Sequence, residues 1–193
     1  IVYKLPGDII TEKHLEFILG KASEFDAIVV GPGIGKQKQT QRAVVELANN
    51  CNNLVLDADA IFNFDFKGQN ILLTPHTGEL NRLTQNSGPE DLLKYASEKG
   101  VTLLVKGEVD IITDGDFLKV NSSGHPRMAV GGTGDVLAGV CGALMAKGLT
   151  PFESARLAAY SLGKAGELCY EDIGSGFLST DLALSLSKVL RKD

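Results

Sequence analysis

Residues 129–135 read Ala-Val-Gly-Gly-Thr-Gly-Asp and combine three glycines with a carboxylate. The apolar residues 136–146 follow directly and predict a helix that begins at this segment. Glycine lets the backbone turn sharply and approach a ligand, and the first N–H groups of a helix attract phosphate. Asp135 would repel a phosphate unless its carboxylate handles a proton. The segment therefore predicts phosphate and proton chemistry at one helix start, and a purely structural glycine turn is the alternative.

Two further segments place glycines or carboxylates directly after a predicted strand. Residues 31–35 read Gly-Pro-Gly-Ile-Gly, which either forms a tight strand-to-helix turn or lays its backbone against a ligand. Their spacing is a weak match to a dinucleotide-binding fingerprint. Asp57 and Asp59 can hold Mg²⁺ through water or transfer protons. The alternative is that one of these two aspartates caps the short helix that follows.

Two more segments add an imidazole and an ammonium group. His76 and Glu79 lie three residues apart at a predicted helix start, so both side chains share one face. Glu79 either takes part in the site or caps that helix. Lys106 ends a strand and precedes a glycine, where it would either bind ligand phosphates or remain a solvated surface lysine. Asp110 either contacts the same ligand or simply begins the following hairpin.

These segments owe their position to an alternation of strands and helices. The sequence predicts strands at residues 26–30, 53–56, 70–73 and 101–105, and a hairpin of residues 109–113 and 117–121. Helices are predicted from a cap at Thr11 to Leu19, briefly after residues 57–60, and at residues 37–50, 89–99, 133–147, 151–170 and 180–190. This alternation predicts an α/β fold with a mostly parallel central sheet and helices on both faces. Because ligands bind beyond the carboxyl ends of parallel strands, we expect the clusters to converge on one crevice.

Length and composition limit the classes of protein and partner. The 193 residues, 44% of them hydrophobic, suffice for one core, so we expect a single domain over residues 1–193. A formal net charge of -5 argues against nucleic acid or an anionic membrane as a partner. Residues 136–146 form the longest apolar run, which is too short to cross a bilayer. The three widely spaced cysteines favour reduced thiols and a cytoplasmic location.

Taken in order, five segments resemble those of the ADP/ATP-dependent NAD(P)H-hydrate dehydratases, members of the ribokinase-like superfamily. They are Gly-Pro-Gly-Ile-Gly at 31–35, Leu-Asp-Ala-Asp-Ala at 56–60, Thr-Pro-His-Thr-Gly-Glu at 74–79, Lys-Gly-Glu-Val-Asp at 106–110 and Gly-Gly-Thr-Gly-Asp at 131–135. The resemblance implies a ribokinase-like fold and a repair enzyme, in which ADP or ATP phosphorylates the hydroxyl of hydrated NADH or NADPH. Elimination of phosphate then restores the dihydronicotinamide.

The resemblance also implies roles for individual residues. Asp135 would take the hydroxyl proton, while the N–H groups of Gly132, Thr133 and Gly134 stabilise the transferring phosphoryl group. Besides Asp135, the residues in contact with the hydrated nucleotide would be Gly33, Gly35 and His76. The adenine nucleotide would be held by Gly134 and by Lys106, Gly107, Glu108, Val109 and Asp110. Glu79 would help to organise Mg²⁺ and phosphate.

His76 bears on the choice between this family and its kinase relatives, which usually have asparagine in its place. The histidine favours the dehydratase, and the alternative enzyme is a kinase for a small alcohol such as a vitamin precursor. A third hypothesis is a catalytically silent nucleotide-binding module. The segment at 106–110 resembles both ATP-using and ADP-using members, and ADP is the favoured donor.

The resemblance further implies a homo-oligomer and an N-terminal segment before Ile1. Family members usually carry a strand and a glycine-rich segment there, which closes the substrate pocket. Because the chain opens on Ile-Val-Tyr, without an initiator methionine, we expect the domain to be N-terminally incomplete. The segment would then be absent or present as a separate chain. The apolar helices near the C-terminus would supply the subunit interface.

Overall fold

Within residues 1–67 and 69–190, which the computed structural model describes, the chain forms a sheet of six strands in sequence order. The strands are β1 (Ile28–Val30), β2 (Leu54–Leu56), β3 (Ile71–Leu73), β4 (Thr102–Val105), β5 (Asp110–Thr113) and β6 (Leu118–Asn121). Strands β1 to β4 pair in parallel, whereas β4, β5 and β6 pair antiparallel. The prediction of a mostly parallel sheet that ends in a hairpin is confirmed.

Helices precede, connect and follow the strands. They are α1 (Leu15–Ala22), α2 (Lys38–Asn50), α3 (Thr77–Leu80), α4 (Pro89–Lys99), α5 (Thr133–Ala146), α6 (Pro151–Ile173) and α7 (Ser179–Val189). Short 3-10 turns cover Glu12–His14, Ala58–Ala60 and Pro126–Met128. Within the described ranges, every helix is too short or too polar to cross a membrane.

Two helices differ from their predicted bounds by more than one residue. The helix predicted from Thr11 to Leu19 begins as the 3-10 turn and continues through α1 to Ala22. The helix predicted to end at residue 170 extends to Ile173. Gly174 follows the helix at φ 79° and ψ -155°, a non-helical conformation that favours glycine, and no earlier residue in this stretch interrupts α6.

Alternate residues of the strands face opposite sides of the sheet, and helices cover both sides. On one side, Val55 and Leu72 belong to a core cluster with residues of α5, α6 and α7. On the other side, Leu54 and Leu73 belong to a second cluster, which residues of α2 and α4 complete. The prediction of helices on both faces is confirmed. This layering leaves the strand ends as the place where polar groups can gather.

The parallel strands remain paired just beyond their carboxyl ends. Three backbone hydrogen bonds join neighbouring segments there: Asp57 N–H to Val30 C=O at 3.0 Å, Thr74 N–H to Leu56 C=O at 3.1 Å, and Lys106 N–H to Pro75 C=O at 2.8 Å. Gly31 lies at φ 139°, and a Cβ on it would overlap the carbonyl oxygen of Asp57. Glycine therefore permits the close approach of the segments that follow β1 and β2. The predicted polar clusters are thereby brought to one edge of the sheet.

Candidate active site

The ammonium group of Lys106 lies between two buried carboxylates at the carboxyl edge of the sheet. Its Nζ is 2.7 Å from Asp57 Oδ1 and 3.9 Å from Glu79 Oε2. The side chain of Asp57 is 2% exposed and that of Lys106 is 19% exposed. Thr74 Oγ1 donates a further hydrogen bond of 2.7 Å to Asp57 Oδ1. Lys106 is thus a largely buried, paired cation, and the alternative of a solvated surface lysine is wrong.

Asp57 and Asp59 contact different partners. Asp57 directly precedes the turn Ala58–Ala60, but its side chain makes no capping hydrogen bond to that turn. Asp59 Oδ2 accepts a hydrogen bond from the Gly35 N–H at 3.2 Å, and its Oδ1 lies 3.5 Å from Lys36 Nζ. The alternative of a helix cap is therefore wrong for this pair.

A glycine and a threonine shape the turn that leads into α5. Gly132 precedes the helix at φ 91°, and a Cβ on it would lie 2.6 Å from Ser179 Oγ. Thr133 Oγ1 donates to the Met128 carbonyl at 2.8 Å, and its N–H donates to the Val130 carbonyl at 3.3 Å. The N–H of Thr133, one of the hydrogen-bond donors predicted for the phosphoryl group, is therefore already engaged in the turn.

The first turn of α5 faces the ion pair between Lys106 and Asp57. A Cβ on Gly134 would lie 3.4 Å from Lys106 Nζ and 3.8 Å from Asp57 Oδ2. Among residues 1–67 and 69–190, no acceptor is found for the N–H groups of Gly134 and Asp135. The Asp135 side chain is exposed in the same turn. The N–H groups of Gly134 and Asp135 and the Lys106 ammonium group thus lie at the same helix start, an arrangement that suits an anion.

His76 and Glu79 cap α3 reciprocally. His76 Nδ1 accepts hydrogen bonds from the N–H groups of Gly78 (2.9 Å) and Glu79 (3.2 Å), while Glu79 Oε2 accepts from His76 N–H (3.0 Å). Because Nδ1 is an acceptor, a neutral ring carries its proton on Nε2, which lies 3.3 Å from Glu79 Oε1. The capping role considered for Glu79 is confirmed. The His76 side chain is 57% exposed, so the ring remains open to a ligand.

Asp110 closes the loop after β4. Its Oδ1 accepts from the Gly107 N–H at 3.1 Å, and its Oδ2 accepts from Asn121 Nδ2 at 3.0 Å. Burial raises the pKa of Asp110, and these two hydrogen bonds together with Lys106 oppose that rise. Both carboxylate oxygens are engaged, and Asp110 is also the first residue of β5. Apart from the Gly107 N–H, the backbone of the exposed residues 107–109 is available to a ligand.

The glycine loop after β1 exposes its backbone. Gly33 and Gly35 lie at φ 71° and φ 80°, and no atom lies within 4 Å of a Cβ placed on Gly33. Gly35 is tied to the segment after β2 through Asp59. The loop therefore combines an open face at Gly33 with a fixed base.

Three residues that support the crevice were not predicted as part of it: Thr74, Asn121 and Ser179. Thr74 directly follows β3, the position that also identified Asp57 and Lys106, so the sequence held a signal for it. Asn121 and Ser179 carry no comparable signal, because their partners Asp110 and Gly132 lie on other elements.

A cavity of about 670 Å³ lies elsewhere, at the amino ends of β3 and β4. Its lining includes Ile71, Thr102, Phe117 and Arg156, and none of the predicted site residues. The crevice at the carboxyl ends is the better candidate, because it holds the buried ion pair and the free helix N–H groups.

Comparisons with known proteins identify relatives of this chain. Residues 1–188 match the model of a family described as NAD(P)H-hydrate dehydratase. The bifunctional NAD(P)H-hydrate repair enzyme Nnr of Pyrobaculum aerophilum is 35% identical over 204 residues, which cover 100% of this chain and 41% of that protein. The ADP-dependent (S)-NAD(P)H-hydrate dehydratase of Cenarchaeum symbiosum is 38% identical over 178 residues, which cover 86% of this chain and 62% of that protein.

A solved structure shares the fold. The ADP/ATP-dependent NAD(P)H-hydrate dehydratase from Bacillus subtilis, co-crystallised with ATP/Mg²⁺, aligns with a TM-score of 0.77 at 26% identity. The alignment covers 89% of this chain and 68% of that chain. The predicted ribokinase-like fold is confirmed. This chain spans about two fifths of the length of the Nnr enzyme, and the N-terminal segment before Ile1 stays a prediction.

Proposed function

The chain belongs to the NAD(P)H-hydrate dehydratase family, and we propose that it repairs hydrated NADH or NADPH with an adenine nucleotide as phosphoryl donor. One observation supports this most directly. The buried ammonium group of Lys106 and the free N–H groups at the start of α5 face one space, and Asp135 lies in the same helical turn. This combination provides a place for a phosphoryl group and a base beside it.

In the proposed reaction, the added hydroxyl oxygen of the hydrated nucleotide attacks the terminal phosphorus of ADP or ATP. The bond to the leaving nucleotide phosphate breaks, and the hydroxyl proton passes to the Asp135 carboxylate. The N–H groups of Gly132 and Gly134 and the Lys106 ammonium group stabilise the charge on the transferring group. The ring carbon then loses phosphate together with the electrons of its C–O bond. Water then accepts a proton from the neighbouring ring carbon, and the electrons of that C–H bond complete the double bond.

Binding of the two substrates is proposed for opposite parts of the crevice. The hydrated nucleotide would lie against Gly33, Gly35 and His76. The open backbone at Gly33 and the exposed imidazole support this placement. The adenine nucleotide would lie along the exposed loop of residues 107–109, next to Gly134.

Mg²⁺ fits the crevice if nucleotide phosphates and water supply most of its ligands. Within the described residues there is no group of three or more His, Cys, Asp or Glu side chains that could hold a metal ion. Glu79 is buried, and both of its oxygens contact His76. Mg²⁺ commonly keeps several waters and takes one or two carboxylates plus substrate phosphates. Glu79 would hold it through water, and bound Mg²⁺ would neutralise charge on the phosphates.

We propose ADP as the preferred donor, with ATP as the alternative. A relative that is 38% identical is named an ADP-dependent dehydratase. The Bacillus subtilis relative is named for both nucleotides and was co-crystallised with ATP/Mg²⁺. Parallel assays with the two donors distinguish the alternatives.

We also propose a cytoplasmic location and a homo-oligomer. Cys51, Cys141 and Cys169 are buried free thiols, and burial raises the pKa of Cys141 to about 12, as suits inert thiols in a reducing compartment. Exposed apolar side chains on and between α6 and α7 support a subunit interface: Ile173 at 52%, Leu178 at 61% and Leu184 at 74%. Light scattering on the purified chain tests the assembly, and a monomer would contradict it.

The test of the reaction is recovery of dihydronicotinamide absorbance from hydrated NADH in the presence of Mg²⁺ and ADP or ATP. We expect recovery by the wild-type protein. Asp135→Asn should leave nucleotide affinity within about tenfold but lower kcat by roughly a hundredfold or more, because the base is lost. Glu153→Gln is the matched control, since Glu153 occupies the third position of α6, as Asp135 does in α5, but lies away from the crevice.

Each alternative has its own outcome. A stable phosphorylated product without elimination would identify an alcohol kinase instead. Nucleotide affinity without turnover would identify a silent binding module. Near-normal turnover by Asp135→Asn would refute the role of that carboxylate as the base.

A further inference from the structure

We propose that Asp57 is a positioning residue, which holds the Lys106 ammonium group at the start of α5 and itself contacts neither substrate. The inference rests on the proposed function for the reaction that the lysine serves. It concerns a buried carboxylate that the proposed chemistry does not otherwise use.

The carboxylate of Asp57 is held in place from two neighbouring strands. The Asp57 N–H donates to the Val30 carbonyl at 3.0 Å, and Thr74 Oγ1 donates to Asp57 Oδ1 at 2.7 Å. With only 2% of its side chain exposed, Asp57 has little freedom to reach a ligand. A carboxylate this deeply buried needs a paired positive charge, and Lys106 provides it.

The ammonium group of Lys106 depends on that carboxylate for its position. Lysine carries its charge on a flexible four-carbon stem, and restricting such a side chain costs conformational entropy. Glu79 is farther away, at 3.9 Å, and its two oxygens already contact His76. The 2.7 Å ion pair with Asp57 therefore determines that Nζ lies 3.4 Å from the Cβ position of Gly134.

The remaining hydrogen-bonding capacity of Lys106 faces the crevice. An ammonium group has three donors, and one of them is directed at Asp57. Within residues 1–67 and 69–190 no hydrogen-bond acceptor is found for the other two donors, so they can meet a phosphate beside the Gly134 N–H. Asp57 thus holds the Lys106 ammonium group in one position, from which it can donate hydrogen bonds to a phosphate.

A double-mutant cycle between Asp57→Asn and Lys106→Met tests the inference, with binding of ADP and Mg²⁺ measured by calorimetry. Asparagine keeps the size of the side chain and one oxygen acceptor but removes the charge. Each single substitution should weaken ADP binding about tenfold, as expected for loss of a charge-assisted hydrogen bond. The double variant should bind ADP no more weakly than Lys106→Met alone, because Asp57 acts only through the lysine.

Kinetics separate positioning from a general loosening of the site. Under the inference, Asp57→Asn raises the KM for ADP about tenfold while the KM for hydrated NADH stays within about twofold. A general loosening of the strand ends would raise both constants. Asp172→Asn is the matched control, because Asp172 Oδ2 forms an ion pair of the same 2.7 Å length with Lys188 Nζ on the surface. It should leave ADP binding unchanged.

A second variant decides the question if Asp57→Asn does not fold, as thermal unfolding would reveal. Lys106→Arg keeps the positive charge, but the larger planar guanidinium group cannot take the ammonium position that Asp57 sets. We expect this variant also to lose about tenfold in ADP affinity, the size of one such lost contact.

Three results would overturn the inference. The first is additive losses in the double variant, since Asp57 would then act on ADP or Mg²⁺ by another route. The second is wild-type ADP affinity in Asp57→Asn or Lys106→Arg. The third is absence of ADP binding by the wild-type protein, which would refute the proposed function as well. A wild-type protein that binds ADP without restoring NADH would refute only the proposed function, and the cycle would still decide the role of Asp57.

Discussion

Replacing Gly134 by alanine separates the stability of α5 from the chemistry at its start. Gly134 is the second residue of α5 and does not adopt a positive φ, so alanine can take the same backbone conformation. Alanine is the better helix former by up to about 1 kcal/mol in a helix interior, which would raise Tm by at most roughly 2–4 °C in a domain of this size. The new methyl carbon would lie 3.4 Å from Lys106 Nζ and 3.8 Å from Asp57 Oδ2, both ordinary contact distances. We expect the variant to be at least as stable as the wild-type protein.

The same methyl group should abolish most of the activity. A phosphate oxygen that receives hydrogen bonds from Lys106 Nζ and the Gly134 N–H would lie about 2.7–3.2 Å from each nitrogen. The methyl carbon would occupy part of that space, because it lies 3.4 Å from the same Nζ. Loss of one donor to a transferring group costs about a hundredfold to a thousandfold in kcat. We therefore expect kcat to fall at least about a hundredfold while Tm is kept or raised.

Gly139→Ala is the matched control. Gly139 lies in the same helix, is exposed, and has no atom within 4 Å of a Cβ placed on it. Both variants gain helix propensity, but Gly134→Ala alone fills the crevice. Calorimetric unfolding gives Tm, and turnover of hydrated NADH with ADP gives kcat. A Gly134→Ala variant with wild-type kcat would refute the placement of the phosphoryl group at this helix start, and a lower Tm would show that the methyl group does not fit.

Two further predictions concern stability. Gly31→Ala should lower the free energy of unfolding by about 3 kcal/mol or more, since its Cβ would overlap the Asp57 carbonyl oxygen; Gly33→Ala, in open space at φ 71°, should cost about 1–2 kcal/mol. Equal losses in urea unfolding would contradict that reasoning. For Asp110, the folded-state pKa is raised above 3.8, so the folded protein binds the proton more readily than the unfolded chain does. Ionisation of this carboxyl group therefore lowers the free energy of unfolding as pH rises from 3.8 through the raised pKa. In urea unfolding, the free energy of unfolding of Asp110→Asn should increase relative to that of the wild-type protein over that range. A difference that does not change with pH would contradict the assignment.

The sequence was sufficient to predict the order of the strands and helices and the edge of the sheet at which the polar clusters meet. Parallel strands that alternate with helices all point the same way, so residues that follow them must gather at one edge. The contact of Lys106 with the start of α5 agrees with this expectation. Helix ends were less predictable, as α6 shows, because the polar residues after Tyr170 carry no stop signal before Gly174.

The partners within the crevice could not be read from the sequence. Asp57 and Lys106 are 49 residues apart, and their pairing depends on how three neighbouring segments bring a carboxylate within reach of one long side chain. The residue types alone favoured a helix cap for one of Asp57 and Asp59, and they left a solvated surface lysine open for Lys106. Histidine is not a preferred N-cap, so the reciprocal cap between His76 and Glu79 was also hidden, although a glutamate cap was foreseen.

The pairing of Lys106 with Asp57 neutralises part of the positive charge that a phosphate needs. Without this partner, however, the ammonium group would lie on a mobile stem, and ADP binding would have to restrict that stem at a cost in conformational entropy. We expect this loss of position to outweigh the gain in free charge, so Asp57→Asn should bind ADP more weakly. A donor fixed where charge develops also stabilises the transition state without reorganisation. Under the proposed function, Asp57 thus gives up part of the charge attraction for a defined ammonium position. The free N–H groups of Gly134 and Asp135 serve the same end, since a helix start is also a fixed donor that needs no reorganisation.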